Sequence, residues 1–142
     1  MRAFLDANIL IAVLCNEYPL YTYCARVLSL ADNPKFEIFT SPLCLAIAFY
    51  FAEKKNGTAL AGRKIGIVSE KLSITTMDES AVTKTVRNKA ISDFEDGLQY
   101  YSALNSKCKC IVTEDKTGFY FSEIEVLGSE EFLLAHAVKY KT

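Results

Sequence analysis

The chain has 142 residues, 51% of them hydrophobic and 23% charged, with a formal net charge of −1. So large an apolar share at so small a net charge excludes a disordered polypeptide, and the length suits a single domain spanning 1–142 with a core of its own. No apolar run reaches the roughly 18–20 residues of a membrane span, and the acidic Asp6 interrupts any leader-like start. The expectation is a cytoplasmic protein with no membrane partner.

In chain order, Ala3-Phe4-Leu5 is a short apolar run ending at Asp6, and Asn8 stands as an N-cap before Ile9 to Leu14. This predicts strand, turn, helix. Pro19 opens a second helix, with Leu20, Cys24, Val27 and Leu28 at helical spacing, and Asp32-Asn33-Pro34 ends it. A strand is predicted over 36–39. Ser41 then caps, and Pro42 begins, an apolar helix through Ala52 in which Phe49-Tyr50-Phe51 is assigned to the core. Asn56-Gly57 breaks the chain before a helix over 58–72, a short strand over 73–76 and a helix from Asp78 to about Ala90.

Ser92 begins a further helix to Leu104, with Phe94, Leu98 and Tyr101 as an apolar stripe. Cys110-Ile111-Val112 is a strand ending at Thr113, and Ile124-Glu125-Val126 is the last one. Ser129 caps the final helix, where His136 has surface or helix-end duty. Strands separated by helical segments argue an α/β domain whose parallel sheet is covered on both faces.

The five cysteines lack a C-x-x-C pair and His136 is the only histidine, so a zinc site is not expected and the thiols are assigned to the interior. Charge is uneven. Residues 54–89 carry eight basic and three acidic side chains, a local +5 against −6 elsewhere. That segment could meet phosphates, although such a spread also describes an ordinary solvated face.

In parallel α/β sheets, ligands bind beyond the carboxyl ends of the strands. Asp6 ends the first strand there, and Asp115 lies just past the strand ending at Thr113. Asp93 and Asp96 share a face in the first turn of the helix leading into that strand. Carboxylates that converge without matching cations suit a hard divalent ion, Mg²⁺ or Mn²⁺ with retained water. Structural duties compete with this. Ser92-Asp93-Phe94-Glu95 matches a capping box with Glu95 as its acid, Asp93 with Asp96 makes a poorer one in the next register, and first-turn acids suit the helix dipole. Asp6 is harder to explain as structure, because an unpaired carboxylate between two apolar runs is costly to desolvate.

Together these residues resemble the PIN domain, a metal-dependent ribonuclease family that includes VapC-type toxins. Phe4-Leu5-Asp6-Ala7-Asn8-Ile9-Leu10 is similar to its opening strand, Asp93-Phe94-Glu95-Asp96-Gly97-Leu98 to its DFEDAL helix, and Ile111-Val112-Thr113-Glu114-Asp115 with Phe119 to its I-T-R-N/D-x-x-D-F segment. Glu130-Glu131-Phe132-Leu133 resembles the family's P-E-E-F-L. The resemblance implies a three-layer α/β/α fold around four or five parallel strands, and hydrolysis of RNA phosphodiesters. It implies Asp6, Asp96 and Asp115 as catalytic residues holding one or two Mg²⁺ or Mn²⁺ ions that activate water and stabilise the transition state.

Asn8, Asp93 and Thr113 would support them: Asp93 as an outer ligand or water-orienting group, Asn8 as a positioning group for Asp6 or the phosphate, or as a helix cap. Tyr100, on the Asp96 face, could touch the substrate. The implied partners are RNA, an antitoxin protein and a second copy of the chain in a homodimer. The chain departs from the family pattern in four places. Ile47 stands at the second acid, Gly118 where many members carry aspartate, Glu114 where many carry arginine, and Gly97 at a common alanine. Two functions are therefore carried forward: an active endoribonuclease of the kind found as the toxin of a toxin–antitoxin pair, and a catalytically degenerate module that binds RNA or protein.

Overall fold

A computed structural model of the protein describes residues 1–137. Five strands form one sheet: β1 (Arg2–Leu5), β2 (Glu37–Thr40), β3 (Ser73–Ile74), β4 (Cys110–Val112) and β5 (Glu125–Leu127). Their order is β3-β2-β1-β4-β5, and every neighbouring pair is parallel. The helices are α1 (Ala7–Leu14), α2 (Leu20–Ser29), α3 (Pro42–Asn56), α4 (Thr58–Lys71), α5 (Glu79–Arg87), α6 (Phe94–Asn105) and α7 (Ser129–Phe132).

Successive strand residues point to opposite faces, yet Ala3, Phe4, Leu5, Cys110, Ile111 and Val112 are all fully buried, so both faces of the sheet are covered. The chain runs outward from β1 through β2 to β3, then jumps back past β1 to β4. Right-handed crossovers put α1–α4 on one face and α5–α6 on the other. The packing follows this division: α1 meets α2 and α3, α3 meets α4, and α5 meets α6. The order reverses between β1 and β4, which makes their shared carboxyl edge the switch point where a ligand site is expected.

The α/β/α architecture and the parallel sheet agree with the sequence reading; several local assignments do not. The N-cap of α1 is Asp6, whose Oδ1 accepts the Ala7 N–H at 2.8 Å; Asn8 lies inside the helix. The N-cap of α6 is Asp93, accepting the Asp96 N–H at 3.1 Å, and not Ser92 with Glu95. Asn88 is the reason: its carbonyl takes the Ile91 N–H and its Oδ1 the Ala90 N–H, closing a turn that delays the helix. The N-cap of α7 is Gly128, whose N–H goes to Glu131 Oε1 at 3.0 Å; Ser129 is the first helical residue.

Tyr50 and Phe51 are exposed on α3, with Lys54 over the Tyr50 ring, so they are not core. Phe94 is 51% exposed, and α6 instead buries Gly97, Gln99, Tyr100, Ser102 and Ala103. Tyr100 is interior, its hydroxyl accepting the Glu123 N–H at 3.1 Å, out of a substrate's reach. All five cysteines are buried free thiols. His136 meets Glu125 at 2.8 Å beyond the end of α7.

Gly97 has a packing explanation. A Cβ there would fall 2.3 Å from Thr85 Cγ2 and 3.0 Å from Ile91 Cγ2, so α6 approaches α5 closely only because this side chain is absent. Much of the basic segment is also committed to structure. Lys64 donates to the Leu14 carbonyl at 2.8 Å, Lys55 to that of Cys15, and Lys71 pairs with Asp32.

Candidate active site

The β1–β4 register carries one step past the strands, where the Asp6 N–H reaches the Val112 carbonyl at 3.0 Å. Asp6 and Thr113 therefore emerge side by side. Thr113 Oγ1 is fully used: it donates to Asp6 Oδ2 at 2.8 Å and accepts from Asn8 Nδ2 at 3.0 Å and the Asp115 N–H at 3.1 Å. Asn8 Oδ1 in turn accepts the Glu114 N–H at 3.1 Å. One buried hydroxyl thus sets the Asp6 carboxylate and the turn that presents Asp115. Thr117 Oγ1 holds Asp115 Oδ1 at 2.9 Å. Glu114, at the family's arginine position, turns away to accept the Ser129 N–H at 2.8 Å.

Gly118 joins the last two acids. A Cβ built on it would lie 2.7 Å from Asp96 Oδ2 and 3.4 Å from Asp115 Oδ2, so these carboxylates face one another across the bare glycine. Asp6 lies close enough that its charge, with those of Asp93, Glu95 and Asp115, acts on Asp96, and that of Asp115 acts on Asp6, so the three acids gather at the carboxyl edge. Among the described residues, no three Asp, Glu, His or Cys side chains stand close enough to grip a single ion between them. The α3 residue touching Asp6 is Cys44, its Sγ 3.9 Å from Oδ1. Ile47 lies one turn further along α3, three residues from Cys44 and so on the same face.

The electrostatics are those of crowded anions. Burial, then the charges of Asp93, Asp6, Glu95 and Asp115, push the Asp96 carboxyl up to about 7. Asp6 is also raised, mainly by burial and further by Asp115, against the hydrogen bonds from Thr113, Ala7 and Cys44. Glu95 is raised by burial and by Asp93 and Asp6. Among the described residues, no lysine, arginine or histidine pairs with Asp6, Asp93, Asp96 or Asp115; the four ion pairs lie elsewhere.

Hard oxygen donors with no protein cation fit Mg²⁺ or Mn²⁺, which bind through one or two carboxylates and keep several waters. That coordination does not require three side chains in direct contact with one ion. Sequence reasoning missed Cys44 and Thr117, which touch Asp6 and Asp115; nothing in their local sequence marks them.

Comparison with known proteins agrees with this fold. A PIN domain family model matches residues 2–117. Ribonuclease VapC1 of Aquifex aeolicus (strain VF5) is 29% identical over 135 residues, 92% of each chain. A chain in the structure of VapBC2 from Rickettsia felis, bound to a DNA fragment from their promoter, superposes with a TM-score of 0.67 at 19% identity, covering 89% of this chain and 97% of that one. For VapBC-1 of nontypeable Haemophilus influenzae the TM-score is 0.69 at 17% identity, covering 92% and 99%. For Mycobacterium tuberculosis VapC20, a Sarcin-Ricin loop cleaving toxin, it is 0.65 at 15% identity, covering 86% and 98%. At such identities these structures speak for the fold. The chain belongs to the PIN domain family, with VapC-type ribonucleases among its relatives.

Proposed function

We propose that the protein, acting as one PIN-like unit over 1–142, is a Mg²⁺- or Mn²⁺-dependent endoribonuclease and the toxin of a toxin–antitoxin pair. The observation that carries this reading is the set of carboxylates at the β1–β4 edge, Asp96 and Asp115 facing across Gly118, with no cationic partner among the described residues. Asp6, Asp96 and Asp115 would hold the cation. When bound, it supplies positive charge to the scissile phosphate and acidifies water. Asp93 spends Oδ1 on the α6 cap, leaving Oδ2 to orient a water. Asn8 and Thr113 fix Asp6 and the Asp115 turn, so the site is organised before the RNA arrives.

The related proteins supply the remaining parts of the proposal: RNA as substrate, an antitoxin protein as partner, a homodimer, and a cytoplasmic address. Among the described residues, no helix is long and apolar enough to cross a membrane. A groove of about 260 Å³, lined by Val13, Leu28, Ile67 and Val68, offers apolar seating for a protein partner. The carboxylates at 6, 96 and 115 weigh against the degenerate binding module.

The test is cleavage of a fluorescent RNA oligonucleotide by purified protein. Cleavage with Mn²⁺, lost in excess chelator and in Asp96→Asn, is expected. Cleavage that survives in both would refute the metal-centred site, and a folded parent that cuts no RNA would leave the binding module as the better reading.

A further inference from the structure

We propose that Gln99 is a positioning residue whose side-chain amide, through Nε2, serves as the hydrogen-bond donor for the Asp96 carboxylate and holds it toward Asp115. The proposal rests on the reading of Asp96 as part of the catalytic site, but it concerns groups within this chain.

An unsatisfied buried donor and a carboxylate without a protein hydrogen-bond partner among the described residues sit one helical turn apart. Gln99 is 1% exposed and its Oε1 accepts the Ser41 hydroxyl at 2.5 Å, while Nε2 finds no acceptor among the described residues. A buried donor left unmade costs about 1–3 kcal/mol. Asp96 is the carboxylate one turn before Gln99. Its carboxylate accepts no hydrogen bond among the described residues, whereas Asp6 is held by Thr113, Ala7 and Cys44. Side chains on a helix lean toward its N-terminus, so Gln99 reaches back over the turn that carries Asp96.

The Ser41 hydroxyl takes up one edge of the amide. Ser41 Oγ accepts the Cys44 N–H at 2.9 Å as the cap of α3, so its single proton is free to go to Gln99 Oε1. Turning the amide over would exchange this bond for one from Nε2 to Ser41 Oγ and leave a buried carbonyl oxygen without a donor. In the orientation the structure shows, the Nε2 edge is the one that lacks a partner. The same Cys44 brings its Sγ to Asp6 Oδ1 at 3.9 Å, so Ser41 braces both acids, one through Cys44 and the other through Gln99. Local sequence offers no hint of this link, because Ser41 and Gln99 are 58 residues apart.

The first measurement needs no metal. In ¹H–¹⁵N spectra recorded with chelator, the Gln99 side-chain amide is assigned by its disappearance in Gln99→Met and then followed in Asp96→Asn, with Asp93→Asn as control. The expected result is a slowly exchanging amide that shifts in Asp96→Asn and stays in place in Asp93→Asn. An amide indifferent to Asp96→Asn overturns the proposal.

The second measurement is calorimetric titration of Mn²⁺. Gln99→Met should bind about tenfold more weakly, the usual cost of losing a group that orients a ligand, with kcat falling more than KM rises. Parent-like Mn²⁺ affinity in folded Gln99→Met also overturns it. Should Gln99→Met not fold, Ser41→Ala keeps Gln99 but frees its amide to turn. Its Gln99 amide should then move and its Mn²⁺ binding weaken, and parent-like values for both overturn the proposal. A parent that binds no Mn²⁺ counts against the proposed function, and the metal-free spectrum then decides the role of Gln99 alone.

Discussion

Asp96→Asn should make the metal-free protein more stable at neutral pH. In the folded chain the Asp96 carboxyl rises from 3.8 to about 7, because burial and four neighbouring acids oppose its charge. Between those values the unfolded chain has released the proton and the folded chain has kept it, so folding loses stability as pH rises from about 4 to about 7 and the loss is constant above that. Taken at face value the shift is worth about 4 kcal/mol; solvent screening of a partly exposed group reduces this to about 1–2 kcal/mol. Asparagine has the same shape and no charge, and the backbone N–H of residue 96 that meets Asp93 is unaffected.

Urea denaturation with chelator at pH 8 should therefore find Asp96→Asn more stable by about 1–2 kcal/mol, with the gain at least halved at pH 4.5. Mn²⁺ should reverse the order, since only the parent gains from an ion that binds the folded state. A variant less stable than the parent at pH 8 in chelator, or a gain independent of pH, would refute the electrostatic account of the cleft.

Gly97→Ala improves helix propensity by about 1 kcal/mol, yet should destabilise by about 1–3 kcal/mol through the clash with Thr85 Cγ2. Thr85→Ser, which lacks that methyl, should restore most of the loss in a denaturation double-mutant cycle. Thr113→Val keeps the shape of a buried side chain but leaves Asp6 Oδ2, Asn8 Nδ2 and the Asp115 N–H without their shared partner. It should cost about 1–3 kcal/mol in chemical denaturation and at least tenfold in RNA cleavage.

The sheet and the order of its elements were legible because strand runs, helix periods and breakers are local signals. The acids were legible for the same reason: Asp6 and Asp115 each follow an apolar run that becomes a strand. Cap registers were not. Choosing Asp93 over Ser92 depends on the Asn88 turn, and moving Asn8 into α1 depends on Thr113 and Glu114, which arrive a hundred residues later. Gly97 looked like a weakness until Thr85 was seen against it, and Tyr50-Phe51 looked like core because the face a helix buries depends on its neighbours. Gln99 carried no sign at all, since the deficit of its amide is defined by Ser41 on one side and Asp96 on the other.

The reversal of strand order between β1 and β4 has a consequence for synthesis. Strands β1, β2 and β3 lie side by side and emerge early, so half of the sheet can assemble while the rest of the chain is still being made. The bond that sets Asp6 spans 107 residues, and Asp115 enters the cleft only once β4 has slotted against the far side of β1. Long-range parallel pairing of this kind is slow, and here it waits for the 107 positions that separate Asp6 from Thr113 in a chain growing at roughly 5–20 residues per second. Between the synthesis of β1 and that of β4 the nascent chain thus carries Asp6 without Thr113 or Asp115, and the full set of acids comes together only after β4 has paired.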